Sequence, residues 1–227
     1  MTAAAIIVAA GSGQRFGNEG KAFALVNGMP MAWWSLTAAN QAAPVSEIVL
    51  VCGTHSRAAA QSLLEQFDTD KPARLAIGGA RRQDSALAGI AETSDGITIV
   101  AIHDAARPLV TCDLFDRSIE AAMEHGAAIV AIPVADTIKR VSGDTVQETV
   151  PRNDFVSVQT PQAFRKSLLL DAFAAAETSG STVTDEAALM EASGHVVHVV
   201  QGRSDNIKVT YPTDLLLVDA LLKARSQ

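Results

Sequence analysis

Ala5-Ile-Ile-Val-Ala-Ala-Gly-Ser-Gly-Gln-Arg-Phe-Gly-Asn-Glu-Gly-Lys21 is the stretch on which the reading of this chain turns. Residues 6–10 are apolar without alternation, the mark of a strand buried on both faces of a parallel sheet. Gly11, Gly13, Gly17 and Gly20 follow, interleaved with Arg15 and Lys21. Glycine lets a backbone turn sharply and brings its N–H groups close to a ligand. Successive N–H groups form a concave anion site, and Arg and Lys add full positive charge. The stretch reads as a cradle for a polyphosphate, set against the plainer reading of a flexible glycine turn.

Two familiar glycine loops do not fit. The dinucleotide fingerprint needs G-x-G-x-x-G and an acidic residue closing the second strand. Here Gly11, Gly13 and Gly17 have another spacing, and the next strand-like run ends Val51-Cys52-Gly53-Thr54. The P-loop needs a Ser or Thr after Gly-Lys. Ala22 follows Gly20-Lys21, and Arg15 stands where the first glycine belongs.

Working outward, the 227 residues are 48% hydrophobic, enough for one sizeable core, so the expectation is a single domain over 1–227. A net charge of -7 speaks against a general affinity for nucleic acid or anionic membrane, so positive charge must be concentrated locally. No leader or run of about 20 apolar residues is evident. Cys52 and Cys112 lack metal-type spacing. The expected setting is a soluble, reducing cytoplasm.

Strand-like and helix-like runs alternate. Helices are expected over 31–40, 56–67, 81–91, 111–125 (capped by Thr111, stopped by Gly126), 165–178, 185–193 and 212–223. Strands are expected over 47–52, 74–77, 97–103, 127–134, 196–200 and 207–209. This pattern specifies an α/β, doubly wound, mostly parallel Rossmann-like sheet, with ligands beyond the carboxyl ends of its strands. Trp33 and Trp34 read as core packing. Between 135 and 158 the rhythm breaks into two alternating runs joined by Ser142-Gly-Asp144, a hairpin signal. A lone hairpin is marginal in water, so this arm is expected to pack on something, reasonably a second copy of the chain.

Several polar residues stand against the pattern. Asp104 ends a buried strand facing the loop, where it suits a divalent cation, and Arg107 suits another anion; taken alone, an Asp–Arg pair shaping the turn is the plainer reading. Lys208 lies among apolar neighbours, costly unless it meets an anion, with a surface lysine on an edge strand as the plainer alternative. Arg152 and Thr137 border the arm, and both also suit a solvated surface. Thr160-Pro-Gln-Ala-Phe164 reads as a turn, and Thr184-Asp-Glu186 as a helix start that presents hydroxyls or simply caps. The five histidines show no ligand or triad arrangement. No G-x-S-x-G is present, so covalent catalysis is unsupported.

These pieces, in this order, resemble the 2-C-methyl-D-erythritol 4-phosphate cytidylyltransferase family of the non-mevalonate isoprenoid pathway. The likeness spans nearly the whole chain: Ala9-Ala-Gly-Ser-Gly-Gln-Arg15 with Lys21, Gly78-Gly79 with Asp84-Ser85, His103-Asp-Ala-Ala-Arg-Pro108, Pro133-Val-Ala-Asp-Thr137, Arg152, Thr160-Pro-Gln162, Thr184-Asp-Glu186 and Gly202-Arg-Ser-Asp-Asn-Ile-Lys208. The resemblance implies that Ala9, Ala10, Gly11, Gly79 and Ser85 frame the cytidine of CTP, while Arg15 and Lys21 hold its triphosphate. It implies that Arg152 and Lys208 position the polyol phosphate, helped by Asp104, Arg107, Thr137 and Thr184. It further implies a homodimer in which the hairpin arm serves the neighbouring site, and Mg2+ near Asp104 and Asp205. The chain departs from the family's habit at Gly20 (usually Pro), Ala22 (often Gln) and Ala80 (commonly acidic). A ribitol-5-phosphate cytidylyltransferase and a non-catalytic nucleotide-binding module remain the rival readings.

Overall fold

A computed structural model describes residues 2–11, 20–179 and 185–225. Its first half runs β1 (Thr2–Ala9), β2 (Leu25–Val26), β3 (Met29–Pro30), α1 (Met31–Gln41), β4 (Val45–Cys52), α2 (Arg57–Gln66), β5 (Ala73–Ile77), α3 (Arg82–Ala91) and β6 (Ile97–Asp104). Then come α4 (Cys112–His125), β7 (Ala127–Pro133), the hairpin strands β8 (Ile138–Ser142) and β9 (Thr145–Val150), and β10 (Val156–Arg165). The described chain closes with α5 (Lys166–Ser179), α6 (Glu186–Ala192), β11 (His198–Gln201) and α7 (Asp214–Arg225).

Seven strands form one sheet in the order β11-β7-β10-β6-β1-β4-β5. β1 pairs in parallel with β4 and β6, so its side chains alternate between two buried faces. Ala3, Ala5 and Ile7 enter one core with side chains of α1, α2 and α4. Ala4 and Ile6 enter the other, with α3, α5 and α6. The apolar run without alternation thus has its physical cause, and the fold is doubly wound as expected. Gly89 lets α3 lie close to the sheet: a Cβ there would stand 2.4 Å from Ile6 Cγ2. Gly126 ends α4 in the left-handed region, φ 92°.

Three expectations need correction. Residues 160–164 are not a turn but part of β10, which runs antiparallel between β6 and β7. Proline argues against a central strand because it cannot donate to a ladder. Here Pro161, behind a cis Thr160–Pro161 bond, falls in the register break between Val158 and Gln162, where no ladder bond is asked of it. Residues 207–209 form no strand. The chain there crosses the carboxyl end of the sheet, held by Val209 N–H donating to the Ala106 carbonyl at 2.8 Å. Thr111 occupies the cap position of α4, but its hydroxyl, buried and without a partner, makes no capping bond.

β8 and β9 pair with each other, Ile138 opposite Val150. From Ala135 to Val158 every residue is exposed except those two, which are half-buried. Val141, Val146, Phe155, Val156 and Val158 are among the exposed apolar side chains. Among the described residues, no helix is long and apolar enough to cross a membrane.

Candidate active site

The carboxyl ends of β1, β4, β5 and β6 open on a cleft of about 600 Å³. Its floor is backbone: Ala9, Ala10 and Gly11 leave β1, and Gly78 and Gly79 leave β5. A Cβ on Gly78 would lie 2.6 Å from Ser85 Oγ and 2.7 Å from Ala10 Cβ, so only glycine lets these two turns meet. Ser85, nearly fully buried, lines the cleft from the first turn of α3. His55 lines it too, its ring crowding Gly53 and Gly20.

The charged groups gather on one side. Lys21 lines the cleft, and its Nζ donates to the Val209 carbonyl at 2.8 Å. Lys208, the residue before that carbonyl, donates from Nζ to Asp104 Oδ2 at 2.7 Å. Arg82 Nε donates to Asp104 Oδ1 at 3.3 Å, and Arg82 Nη1 donates to Glu186 Oε2, whose side chain is 0% exposed. Desolvation alone would raise the Asp104 pKa, but the Arg82 and Lys208 cations overcome it and hold the carboxyl well below the usual range. Burial raises the Glu186 pKa despite the Arg82 guanidinium, and the nearby Asp104 charge pushes the same way.

Behind the cleft a buried relay fixes the backbone of Asp104. His103 Nε2 stands 3.2 Å from the Arg107 carbonyl, so that nitrogen carries the proton. Thr160 Oγ then donates to His103 Nδ1 at 2.9 Å and accepts from Asp104 N–H at 3.1 Å. Burial keeps the imidazole neutral, its pKa pushed down to about 4.

Of the residues singled out from the sequence, Ala9, Ala10, Gly11, Lys21, Gly79, Ser85, Asp104 and Lys208 line this one cleft. Arg15 and Thr184 lie outside the described residues. Arg107 points elsewhere: its guanidinium donates to the Asn206 carbonyl at 2.8 Å and the Val158 carbonyl at 3.2 Å, tying β10 to the crossing segment. The alternative of an Asp104–Arg107 pair gives way to Arg82 and Lys208 as the partners of Asp104. Arg152 sits in an exposed turn after the hairpin and donates to the Ala135 carbonyl, and Thr137 is exposed on the same arm. Neither lines the cleft of its own chain. Asp205 is also elsewhere, its carboxylate gripped by Arg203 at 2.8 Å and Arg225 at 2.7 Å and drawn down to about 2. Asp205 thus stands apart from the cleft lining, its two oxygens engaged by guanidiniums.

Arg82 and Glu186 escaped sequence reading as site residues. One signal was available: two arginines, Arg81 and Arg82, open α3, where the helix dipole disfavours cations.

The sequence matches the family model described as IspD, 2-C-methyl-D-erythritol 4-phosphate cytidylyltransferase, over residues 3–224. The chain belongs to this family. It is 42% identical over 223 residues to the 2-C-methyl-D-erythritol 4-phosphate cytidylyltransferase of Bacillus velezensis, covering 97% of this chain and 96% of that protein. It is similar to a crystal structure of 4-diphosphocytidyl-2C-methyl-D-erythritol synthase from Anaerococcus prevotii, with TM-score 0.87 and 30% identity over 98% of each chain. The Thermus thermophilus cytidylyltransferase structure follows at TM-score 0.81 and 33% identity, over 98% of this chain and all of that one. As a member of the cytidylyltransferase family the protein is a nucleotidyltransferase, and a backbone floor beside two lysines suits a nucleoside triphosphate meeting a second phosphate.

Proposed function

We propose that this enzyme transfers CMP from CTP to 2-C-methyl-D-erythritol 4-phosphate, releasing pyrophosphate and 4-diphosphocytidyl-2-C-methyl-D-erythritol, as a cytoplasmic homodimer. The observation that carries the reading is the convergence of Lys21 and Lys208 on one glycine-floored cleft in a chain of net charge -7. An oxygen of the acceptor phosphate attacks the α-phosphorus of CTP as the bond from that phosphorus to the β-phosphate oxygen breaks. A phosphate monoester is nucleophilic near neutral pH, so no general base is needed. The obstacle is repulsion between two anions, which fixed donors and cations remove by positioning and electrostatic stabilisation.

In this reading the turns at Ala9 to Gly11 and Gly79, with Ser85, hold the cytidine. Lys21 and Arg15 stabilise the charge growing on the leaving pyrophosphate, and Lys208 orients the acceptor phosphate. Thr184 assists at the acceptor, while Arg107 acts at one remove by fixing the segment that carries Lys208. Arg152 and Thr137 serve the partner's cleft, since the exposed apolar arm over 135–158 suits a subunit interface and neither residue reaches its own. The catalytic unit is then one domain over 1–227, completed by a neighbour's arm. Asp104 is the carboxylate in the cleft lining that suits Mg2+, an ion usually held by one or two carboxylates plus substrate phosphates. Held by Asp104 together with substrate phosphates, Mg2+ would neutralise phosphate charge.

Phosphorus NMR of purified protein with CTP and methylerythritol phosphate tests this. Equimolar pyrophosphate and a new diphosphate diester are expected; CTP left unchanged by enzyme and acceptor together would contradict the reading.

A further inference from the structure

We propose that Arg82 is a positioning residue for the acceptor phosphate, fixing Asp104 so that its second oxygen holds the Lys208 ammonium at the cleft. The proposal rests on the reading of Lys208 as an acceptor contact. Four side chains from separate parts of the chain form one line: Glu186 Oε2, Arg82, Asp104 and Lys208 Nζ. Each oxygen of Asp104 has its own cation, Oδ1 with Arg82 and Oδ2 with Lys208. Two positive and two negative charges sum to zero, so the group is balanced before any substrate arrives.

Stability does not explain this line. Buried ion pairs are often replaceable by apolar residues without loss, and here an arginine stands at a helix start that disfavours it. What the line does fix is geometry. α3 follows the Gly78-Gly79 turn on the nucleotide side, Glu186 opens α6, and Arg82 spans from one to the other across Asp104. The fork uses separate nitrogens, Nε for Asp104 and Nη1 for Glu186, which a single lysine ammonium cannot reproduce. When a phosphate draws Lys208 away, Arg82 still neutralises Asp104, so the lysine is released without leaving a bare buried carboxylate. Arg82 thereby sets both where Lys208 waits and how readily it leaves.

Steady-state kinetics on wild type, Arg82→Gln, Lys208→Gln and the double variant, with KM for CTP and for methylerythritol phosphate measured separately, test this. Loss of one charged hydrogen bond corresponds to about tenfold, so Arg82→Gln is expected to raise the acceptor KM by about that factor. Its KM for CTP stays within about twofold, and the double variant is no worse than Lys208→Gln alone, as expected for two residues in one chain of contacts. Equal rises in both KM values, an unchanged acceptor KM, or independent effects in the double variant would overturn the proposal. An unchanged acceptor KM in Lys208→Gln would instead remove the reading of Lys208, and the proposal with it. Arg82→Lys keeps the charge where Arg82→Gln fails to fold. The same acceptor-only rise is expected of it, and wild-type kinetics in that variant would overturn the proposal.

Discussion

Lys21 is anchored through its ammonium to a carbonyl next to Lys208, so the two cations share one wall of the cleft. Removing a placed donor to a developing charge costs about 3 kcal/mol of barrier. Lys21→Ala and Arg15→Ala are each expected to cut turnover at least a hundredfold with an unchanged unfolding midpoint, and near-normal turnover in either would count against their role. His103 gives a second check. Its pKa, lowered by burial from 6.5 to about 4, means that the stability it contributes is complete above pH 6.5 and lost as pH falls towards 4. Up to about 3 kcal/mol disappears across that window. NMR of the histidine rings should find His103 still neutral at pH 5.5; titration near 6.5 would show the relay to Thr160 and Arg107 to be wrong. At this scale the sequence was readable where a polar residue stood in apolar company, as Asp104 and Lys208 do. It was silent on Arg82 and Glu186, whose meaning lies in partners 22 and 104 positions away.

Among elements, β1 announced itself because burial on both faces leaves no alternation to misread. β10 hid itself because Gln159, Thr160 and Gln162 are polar yet nearly fully buried. Their bonds go to distant groups: Gln159 Nε2 to the Arg203 carbonyl at 2.9 Å and Gln162 Nε2 to Asp185 Oδ2 at 2.8 Å. No local rule supplies those partners. Close packing of α3 on the sheet makes Gly89→Val an overpacking change, expected to cost about 2 kcal/mol by urea unfolding. A cost near zero would mean that α3 does not sit where it is described. The hairpin arm allows a complementation test. If Arg152 serves the partner's cleft, co-expressing Lys21→Ala with Arg152→Ala chains yields mixed dimers with one intact site, and roughly a quarter of wild-type activity returns. No recovery from two stable, co-purifying chains, each inactive alone, would place Arg152 in its own subunit's site.

For the whole molecule, the acidic surface and the cationic cleft belong to one design. A net charge of -7 gives polyanions no general reason to bind, so the affinity for phosphate must be local. The doubly wound sheet supplies the place, because its strand ends and the segment that crosses them bring residues from 8 to 208 to one opening. Composition and rhythm made that architecture legible, but the identity of the acceptor is written in side-chain details that no periodicity reveals. The direct measurement is pyrophosphate release by the purified wild-type chain from CTP with methylerythritol phosphate, with ribitol phosphate, and with neither. Release is expected with methylerythritol phosphate alone; release favouring ribitol phosphate, release independent of any acceptor, or none in all three arms would contradict it.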